Sequence, residues 1–522
     1  MSFVSLIFLA FLLGTVVLYY LVPKRMQWVL LLIASYVFYL AGGLKTVVYL
    51  LFTTATVYFG GLALDALNLR KKDIPKEKKQ ALARNKRKKR LVLALVLVLN
   101  FGLLFLLKYL DFSAALAASL LARLGITFHP VLPELLMPLG VSFFIFQSAG
   151  YAIDVYRGKY AAQRNFFRFA LFTSFFPQIV QGPISRYNEL GDQLFARRSF
   201  DAENIRSGVL LMLWGYFKKL VIADRAAAIV TTFFGAYDSY GGAVTVFSVG
   251  MYCINLYCDF SGGIDITRGA AELFGIRLAE NFKRPLFATS LADFWRRWHI
   301  TLGTWMRDYV FYSLSLSKPF AALGRFARKH IKGKAGKMVA TTLATFIVYL
   351  IIGIWHGANF CYIFYGLWNG TLLAGATLLA GSFSKWKKKL HIRDDSKPWY
   401  AFSLLRTMVI VFIGRYITRA PRLMVAFGLL KRSVTPSAWQ LGELVNGTLL
   451  HMGLDLIDYG IMAVGFLVLL CVELSQERHG PVCPRLARKH AVWQCAAAAG
   501  LLFAVLFLHV NHLSVEFIYK QF

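Results

Sequence analysis

The sequence predicts an all-α, polytopic membrane protein of about 10–13 membrane helices, some of them broken or re-entrant. Three observations carry this. Of 522 residues, 57 % are hydrophobic and only 16 % charged, and Phe alone contributes 45. A soluble core of this length does not need so much apolar surface, and a disordered basic tail does not contain so many aromatics. The apolar residues fall into runs near the ~20 residues that cross hydrocarbon. The net charge of +33 is clumped: Arg70–Arg90, Lys318–Lys337 and Lys385–Lys397 hold 12, 7 and 6 Lys/Arg against four acids, a net +21. Basic blocks between apolar runs read as cytoplasmic loops. That reading is preferred over nucleic-acid binding.

The runs can be justified in order. Phe3–Val22 is apolar throughout, with no basic leader and no small-residue cleavage site, so it reads as a retained span. Pro23-Lys24-Arg25 ends it; Trp28–Leu40 and Val47 to about Leu67 follow, separated by Gly42-Gly43. If Arg70–Arg90 is cytoplasmic, counting back puts Lys24-Arg25 inside and the N-terminus outside, so two basic signals agree. Leu91–Leu107 returns across. From Pro130 to about Phe320 the apolar runs are broken by Pro133, Pro138, Pro177, Pro183 and Gly262-Gly263. They also carry Asp154, Arg157, Arg186, Asp224, Arg225, Asp259, Asp265 and Arg268. Lipid-facing backbone does not tolerate such breaks, so this part is expected to be buried in protein or to line a cavity, and to be the functional centre. Plain apolar spans resume at Met338–Ile354, Phe360–Leu379, Trp399–Ile417, Leu456–Glu473 and Ala491–Leu508. The organisation reads as N-terminal membrane helices (1–110, with the basic loop 70–90), a catalytic core (130–381) and C-terminal membrane helices (399–522). No internal repeat is visible, which gives an inverted-repeat transporter no support.

Of the ten histidines, two stand out. His356, in Trp355-His356-Gly357-Ala358-Asn359, lies deep in the apolar stretch after the Lys318–Lys337 block. An imidazole there has no bulk water, stays neutral and suits a general base; a histidine hydrogen-bonded to a neighbouring helix is the plain alternative. His299, in Asp293-Phe294-Trp295-Arg296-Arg297-Trp298-His299, shares a helix face with Trp295 at i, i+4, while Asp293 can pair with Arg296 or Arg297. An interfacial aromatic belt explains the tryptophans; an Arg-rich pocket equally suits an anionic phosphate. His509 and His512 read as a helix-end pair, His129 as a loop residue, and no metal site is expected. The six cysteines show no CxxC pair and read as packing residues. Walker, GxSxG, HExxH and dinucleotide motifs are absent from the sequence.

Several motifs together carry a family resemblance. They are Glu280-Asn281-Phe282-Lys283-Arg284-Pro285 with Asp293-Phe294-Trp295-Arg296-Arg297-Trp298-His299-Ile300-Thr301-Leu302, and Trp355-His356-Gly357. Others are Pro138-Leu139-Gly140-Val141-Ser142-Phe143-Phe144, Phe176-Pro177-Gln178, Gly215-Tyr216-Phe217-Lys218-Lys219, Tyr257-Cys258-Asp259-Phe260-Ser261-Gly262, and Phe517 to Phe522. Over almost its whole length the chain resembles the membrane-bound O-acyltransferase family, within it the branch of the alginate O-acetylation membrane protein. The resemblance implies helices around a central tunnel, with His356 as the intramembrane catalytic histidine and His299 as the second, nearer the cytoplasmic side. Arg296, Arg297, Trp295, Trp355, Asn359 and Asp259 are the candidate substrate-binding residues. The chain departs from the branch at Gly263, at Phe311-Tyr312-Ser313-Leu314-Ser315-Leu316 and at Lys520.

The expected activity is transfer of an acyl group, foremost acetyl, from a cytoplasmic thioester to an extracytoplasmic polysaccharide or partner acyltransferase. No tightly bound cofactor is expected; acetyl-CoA or a phosphopantetheine carrier thioester would be co-substrate. Expected partners are membrane lipids, an extracytoplasmic acyltransferase and a cytoplasmic acyl carrier, with no nucleic acid. The expected location is the plasma (inner) membrane. Two alternatives stand: D-alanyl transfer toward teichoic acid and, in a different class, a transporter or channel with His356 as a proton relay.

Overall fold

A computed structural model describes every residue except Met1, 129–131, Glu134, Lys332, 488–489, 511–516 and 518–522. His129, His512 and most of the terminal motif therefore lie outside the described residues. Among the described residues the regular structure is helical, with one isolated antiparallel bridge between Phe282 and Trp298. Six helices among the described residues are long and apolar enough to cross a membrane, or seven if the pair Phe360–Leu378 and Ala380–Lys389, bent by 61°, is one broken span. Leu6–Leu21, Leu110–Ala122 and Ala491–Phe507 are shorter apolar helices. The sequence-based number is approached only by counting these and the broken segments.

The chain sorts into two compact units, Met1–Met212 with Gly263–Ala279, and Leu213–Gly262 with Glu280–Phe522. The first contains α1 (Leu6–Leu21), α2 (Gln27–Leu40), α3 (Val47–Asp73), α4 (Lys79–Lys108), α5 (Leu110–Ala122), α6 (Val141–Arg157), α7 (Phe166–Ser174) and α8 (Tyr187–Phe195). α9 (Ala202–Tyr216) contributes its first turns here. The basic block is helical at both ends, because α3 and α4 extend beyond their apolar stretches into it. Lys89 lies over the Tyr156 ring and donates to the Tyr156 carbonyl at 2.9 Å, and Asp65 pairs with Arg164 at 3.0 Å.

The proline- and glycine-broken part between α7 and α8 never reaches the surface: residues 175–184 are buried without interruption. Polar groups of this part and of the adjoining α7 find partners inside the unit, though the buried Gln181 side chain does not. Ser35 accepts the Phe176 N–H at 3.1 Å, and Thr54 and Thr173 share a hydrogen bond of 2.9 Å. Gln147 donates to the Phe172 carbonyl at 2.6 Å, Gln178 to Gln147 at 2.5 Å, and Ser185 to Gln178 at 3.0 Å. This is how broken backbone survives away from water. Gly140 holds the turn into α6 with φ +67°, and a Cβ there would sit 1.7 Å from the Ile179 carbonyl oxygen.

The second unit contains α10 (Asp224–Gly235), most of α11 (Gly242–Glu272), α12 (Leu291–Arg297), α13 (Ile300–Trp305), α14 (Tyr312–Ser315) and α15 (Lys318–His330). It continues with α16 (Lys334–His356), α17 (Phe360–Leu378), α18 (Ala380–Lys389), α19 (Lys397–Arg419), α20 (Leu423–Val434), α21 (Leu456–His479), α22 (Val482–Ala487) and α23 (Ala491–Phe507). Two π-helical stretches, Phe217–Ala223 and Met306–Phe311, interrupt it. The first turns Lys219 into the interior, where its ammonium meets Asp259 at 2.6 Å and Asp224 at 2.9 Å and lies over the Phe517 ring. Arg225 pairs with Asp458 at 3.0 Å. Asp224, Asp259 and Arg225, three of the charges that interrupted the apolar pattern, are therefore paired, as burial away from water demands.

Because Gly140 combines a left-handed backbone with no room for Cβ, Gly140→Ala is expected to cost on the order of 2–4 kcal/mol. The check is the thermal unfolding midpoint in detergent, which should fall well below that of a control Gly102→Ala, where nothing lies within 4 Å.

Candidate active site

The second unit brings both singled-out histidines into one aromatic cluster. His356 is the last residue of α16, roughly 33 Å along the helix from Lys334 at 1.5 Å per residue, so it sits at the far end of the span. Glycines hold this end of α16 against α17. A Cβ on Gly353 would meet the Tyr362 carbonyl oxygen at 2.5 Å and Gly366 Cα at 2.7 Å, and one on Gly357 would meet the Tyr362 ring at 2.4 Å. His356 is half-buried, and its Nδ1 lies 2.7 Å from the Ile352 carbonyl oxygen. A carbonyl only accepts, so Nδ1 carries the proton and Nε2 of the neutral ring keeps its lone pair.

His299 reaches the cluster by a different route. It links α12 to α13 in the left-handed region, φ 48° and ψ 51°, an uncommon conformation for a non-glycine residue. The segment 281–283 holds it there. Asn281 accepts the Ile300 N–H on its carbonyl at 3.0 Å, and Lys283 donates to the Arg297 carbonyl at 2.8 Å. The Asn281 side-chain oxygen takes Thr301 N–H at 3.0 Å, Thr301 Oγ1 at 2.9 Å and His299 Nδ1 at 3.3 Å. His299 lies outside the long spans, and burial, with His356 adding to it, pushes its imidazole well below the usual histidine range. Its ring stands edge-on to Phe260 at 4.9 Å and faces Trp355 at 5.9 Å; Trp355 in turn meets His356 at 4.9 Å. The Trp355 ring thus neighbours both imidazoles.

The other candidates divide. Trp295 packs on Tyr349 at 5.3 Å and donates its indole N–H to Asn369 at 3.1 Å, and Tyr365 lies 6.5 Å from both Trp295 and His356. Asn359 caps α17 by accepting the Cys361 N–H at 2.8 Å. Asp259 is occupied by Lys219. Arg297 makes a fork to Glu477, with bonds of 3.0–3.1 Å, and pairs with Asp293 at 3.0 Å; Arg284 binds the same Glu477 at 2.5 Å. Arg296, 69 % exposed in its side chain, reaches Asp293 at 3.2 Å. The arginine-rich stretch therefore forms an ion-pair network rather than an open cluster of cations.

Two charged groups stand out that sequence reasoning passed over. Glu477 lies past the end of an apolar run, and Arg415 sits inside a stretch read as a plain apolar span. Arg415 is 5 % exposed, with its guanidinium over the rings of Trp298 at 5.3 Å and Tyr365 at 5.9 Å. The signal was an arginine well inside an apolar run, which marks a buried functional or packing role.

Comparison with known proteins places this geometry. The family model for membrane-bound O-acyltransferases matches residues 161–417, which contain both histidines. A probable alginate O-acetylase of Pseudomonas aeruginosa is 32 % identical over 486 residues, covering 92 % of this chain and 83 % of that protein. The chain belongs to the membrane-bound O-acyltransferase family. Other relatives are a peptidoglycan O-acetyltransferase of Helicobacter pylori, 31 % identical over 55 % of each chain, and a teichoic acid D-alanyltransferase of Bacillus subtilis. The latter is 28 % identical over 53 % of this chain and 68 % of its own. This membrane-bound O-acyltransferase is thus a multi-pass membrane enzyme, which displaces the transporter or channel reading.

Glu477→Ala is expected to lower stability by about 1–3 kcal/mol, since it strands two partly buried guanidinium groups. Arg297→Lys should lose part of the same stability, because a point charge cannot reproduce the two-pronged bond. Thermal unfolding of both variants in detergent checks this; unchanged midpoints would show that the network is not structural.

Proposed function

We propose that this O-acyltransferase moves an acetyl group from a cytoplasmic thioester, acetyl-CoA or a phosphopantetheine carrier, to an extracytoplasmic polysaccharide or to a partner acyltransferase that completes the transfer. The observation that carries the chemistry is the Ile352 carbonyl bound to His356 Nδ1, which leaves the lone pair on Nε2. A thioester is already activated, so the enzyme's task is to remove the acceptor's proton and exclude water. In this reading Nε2 takes the hydroxyl proton as the oxygen attacks the thioester carbonyl carbon. The tetrahedral adduct collapses with cleavage of the C–S bond, and the proton on the imidazole passes to the departing thiolate. His299, held neutral by burial, and Trp355, which neighbours both rings, line the reacting region in this reading. Acetyl and polysaccharide are favoured because the likeness to the alginate O-acetylase spans 92 % of the chain, against 53 % for the teichoic acid D-alanyltransferase.

The test compares ester released by mild base from cell-surface polymers of wild type and His356→Ala. Loss of a general base predicts a fall of about 10²–10⁴ in transfer rate, hence near-complete loss of acetate. Unchanged acetate, with the variant still in the membrane, would sink the catalytic role; loss of alanine instead of acetate would select D-alanyl transfer.

The proposed setting is the plasma membrane with the N-terminus outside, which the basic blocks support. In a background with the exposed Cys471 and Cys495 replaced, a cysteine at Arg84 should resist membrane-impermeant thiol reagents in intact cells and react after lysis. Labelling of intact cells would reverse the topology.

A further inference from the structure

A cavity of about 420 Å³ lies within the second unit, between α11, α12, α19 and α21, a size that accommodates a ligand. Its walls are apolar side chains, among them Leu286, Val409, Phe412 and Phe466. One lining residue carries a charge: Arg415, roughly 10 Å along α19 from Met408, which also lines the cavity. The cavity meets the outer surface of the helix. Val409, one of its walls, is 46 % exposed and continues a stripe with Phe402 and Leu405 at i, i+3, i+7. In a spanning helix an exposed apolar stripe faces hydrocarbon, so the slot opens toward lipid rather than water.

An apolar slot lined along about 10 Å of α19, with a buried arginine in its wall, is complementary to an amphiphile with an anionic head. The guanidinium is the side chain suited to phosphate, with planar donors and weak hydration. No carboxylate is among the lining residues, so the ammonium of a zwitterionic lipid would find no counter-charge there. We propose that this cavity binds an anionic phospholipid, with an acyl chain along Met408–Phe412 and the phosphate at Arg415. The site is distinct from the histidine cluster but shares a wall with it. Trp298 lines the cavity, carries the Arg415 guanidinium on its ring and stacks on Phe294 at 5.5 Å, and the next residue is His299. A lipid in the slot would brace Trp298 and, through it, the strained backbone of His299.

Full-length protein purified in a mild detergent and exchanged into equimolar dioleoyl-phosphatidylglycerol and dioleoyl-phosphatidylcholine tests this by native mass spectrometry. One tightly retained phosphatidylglycerol is expected, preferred about tenfold over phosphatidylcholine. Arg415→Gln should abolish the preference and Arg415→Lys should restore part of it. Val409→Trp, placed at the lipid-facing mouth, should exclude the retained lipid while leaving Arg415 in place. Equal retention of the two lipids by the wild type, or normal retention in Val409→Trp, would overturn the assignment. If Arg415→Gln does not fold, Val409→Trp decides alone.

Discussion

Away from water, a polar group without a partner is costly, and the main departures from plain helix among the described residues are organised around that demand. Where the first unit breaks its helices between α7 and α8, Ser35 meets the Phe176 N–H and side-chain amides relay from Gln147 to Gln178. Where the second unit admits charge, Lys219 sits between two carboxylates and Arg225 finds Asp458. The cost of an unmet amide or an unpaired charge at such depth is several kcal/mol, so these pairings are conditions of folding rather than ornaments.

The same demand shapes the candidate active-site region. The two imidazoles are held by unrelated devices: one by a backbone carbonyl a turn below it at the end of a long helix, the other by a side-chain amide across a kinked connection. Each device fixes which ring nitrogen bears hydrogen, and neither uses a carboxylate. An aspartate behind a histidine raises its basicity and favours the imidazolium; a carbonyl or amide partner orients the ring while leaving it neutral. That suits a reaction in which the donor is already activated and the proton is held only briefly. The arginines nearby are spent on Glu477, which locks the start and the end of the α12 region to the last turn of α21.

Much of this was legible in the residues. The long apolar runs at 47–67, 338–354 and 456–473 lie within α3, α16 and α21, with the helices extending past them where basic residues continue a helical pattern beyond the apolar stretch. The prolines and charges of the middle marked the part that must be buried. His356 was conspicuous because its depth and its flanking glycines are local features. What sequence could not convey depends on neighbours distant in the chain. The partnering of Arg297 with Glu477 spans 180 residues, the Phe282–Trp298 bridge has no pattern of its own, and Arg415 was hidden by the hydropathy of its surroundings. Periodicity reports which face of an element is apolar; it is silent about which distant polar atom will complete it.

The buried segment between α7 and α8 has a consequence for biogenesis. Left alone in a bilayer, residues 175–184 would expose unsatisfied backbone to hydrocarbon, so this stretch has no stable place in the membrane until its partners are there. Ser35 and Gln147, which take groups of Phe176 and Gln178, precede it in the chain. A ribosome delivers them first. The order of residues along the gene therefore doubles as an order of assembly, in which the earlier helices form the cradle that the broken hairpin enters as it leaves the translocation machinery.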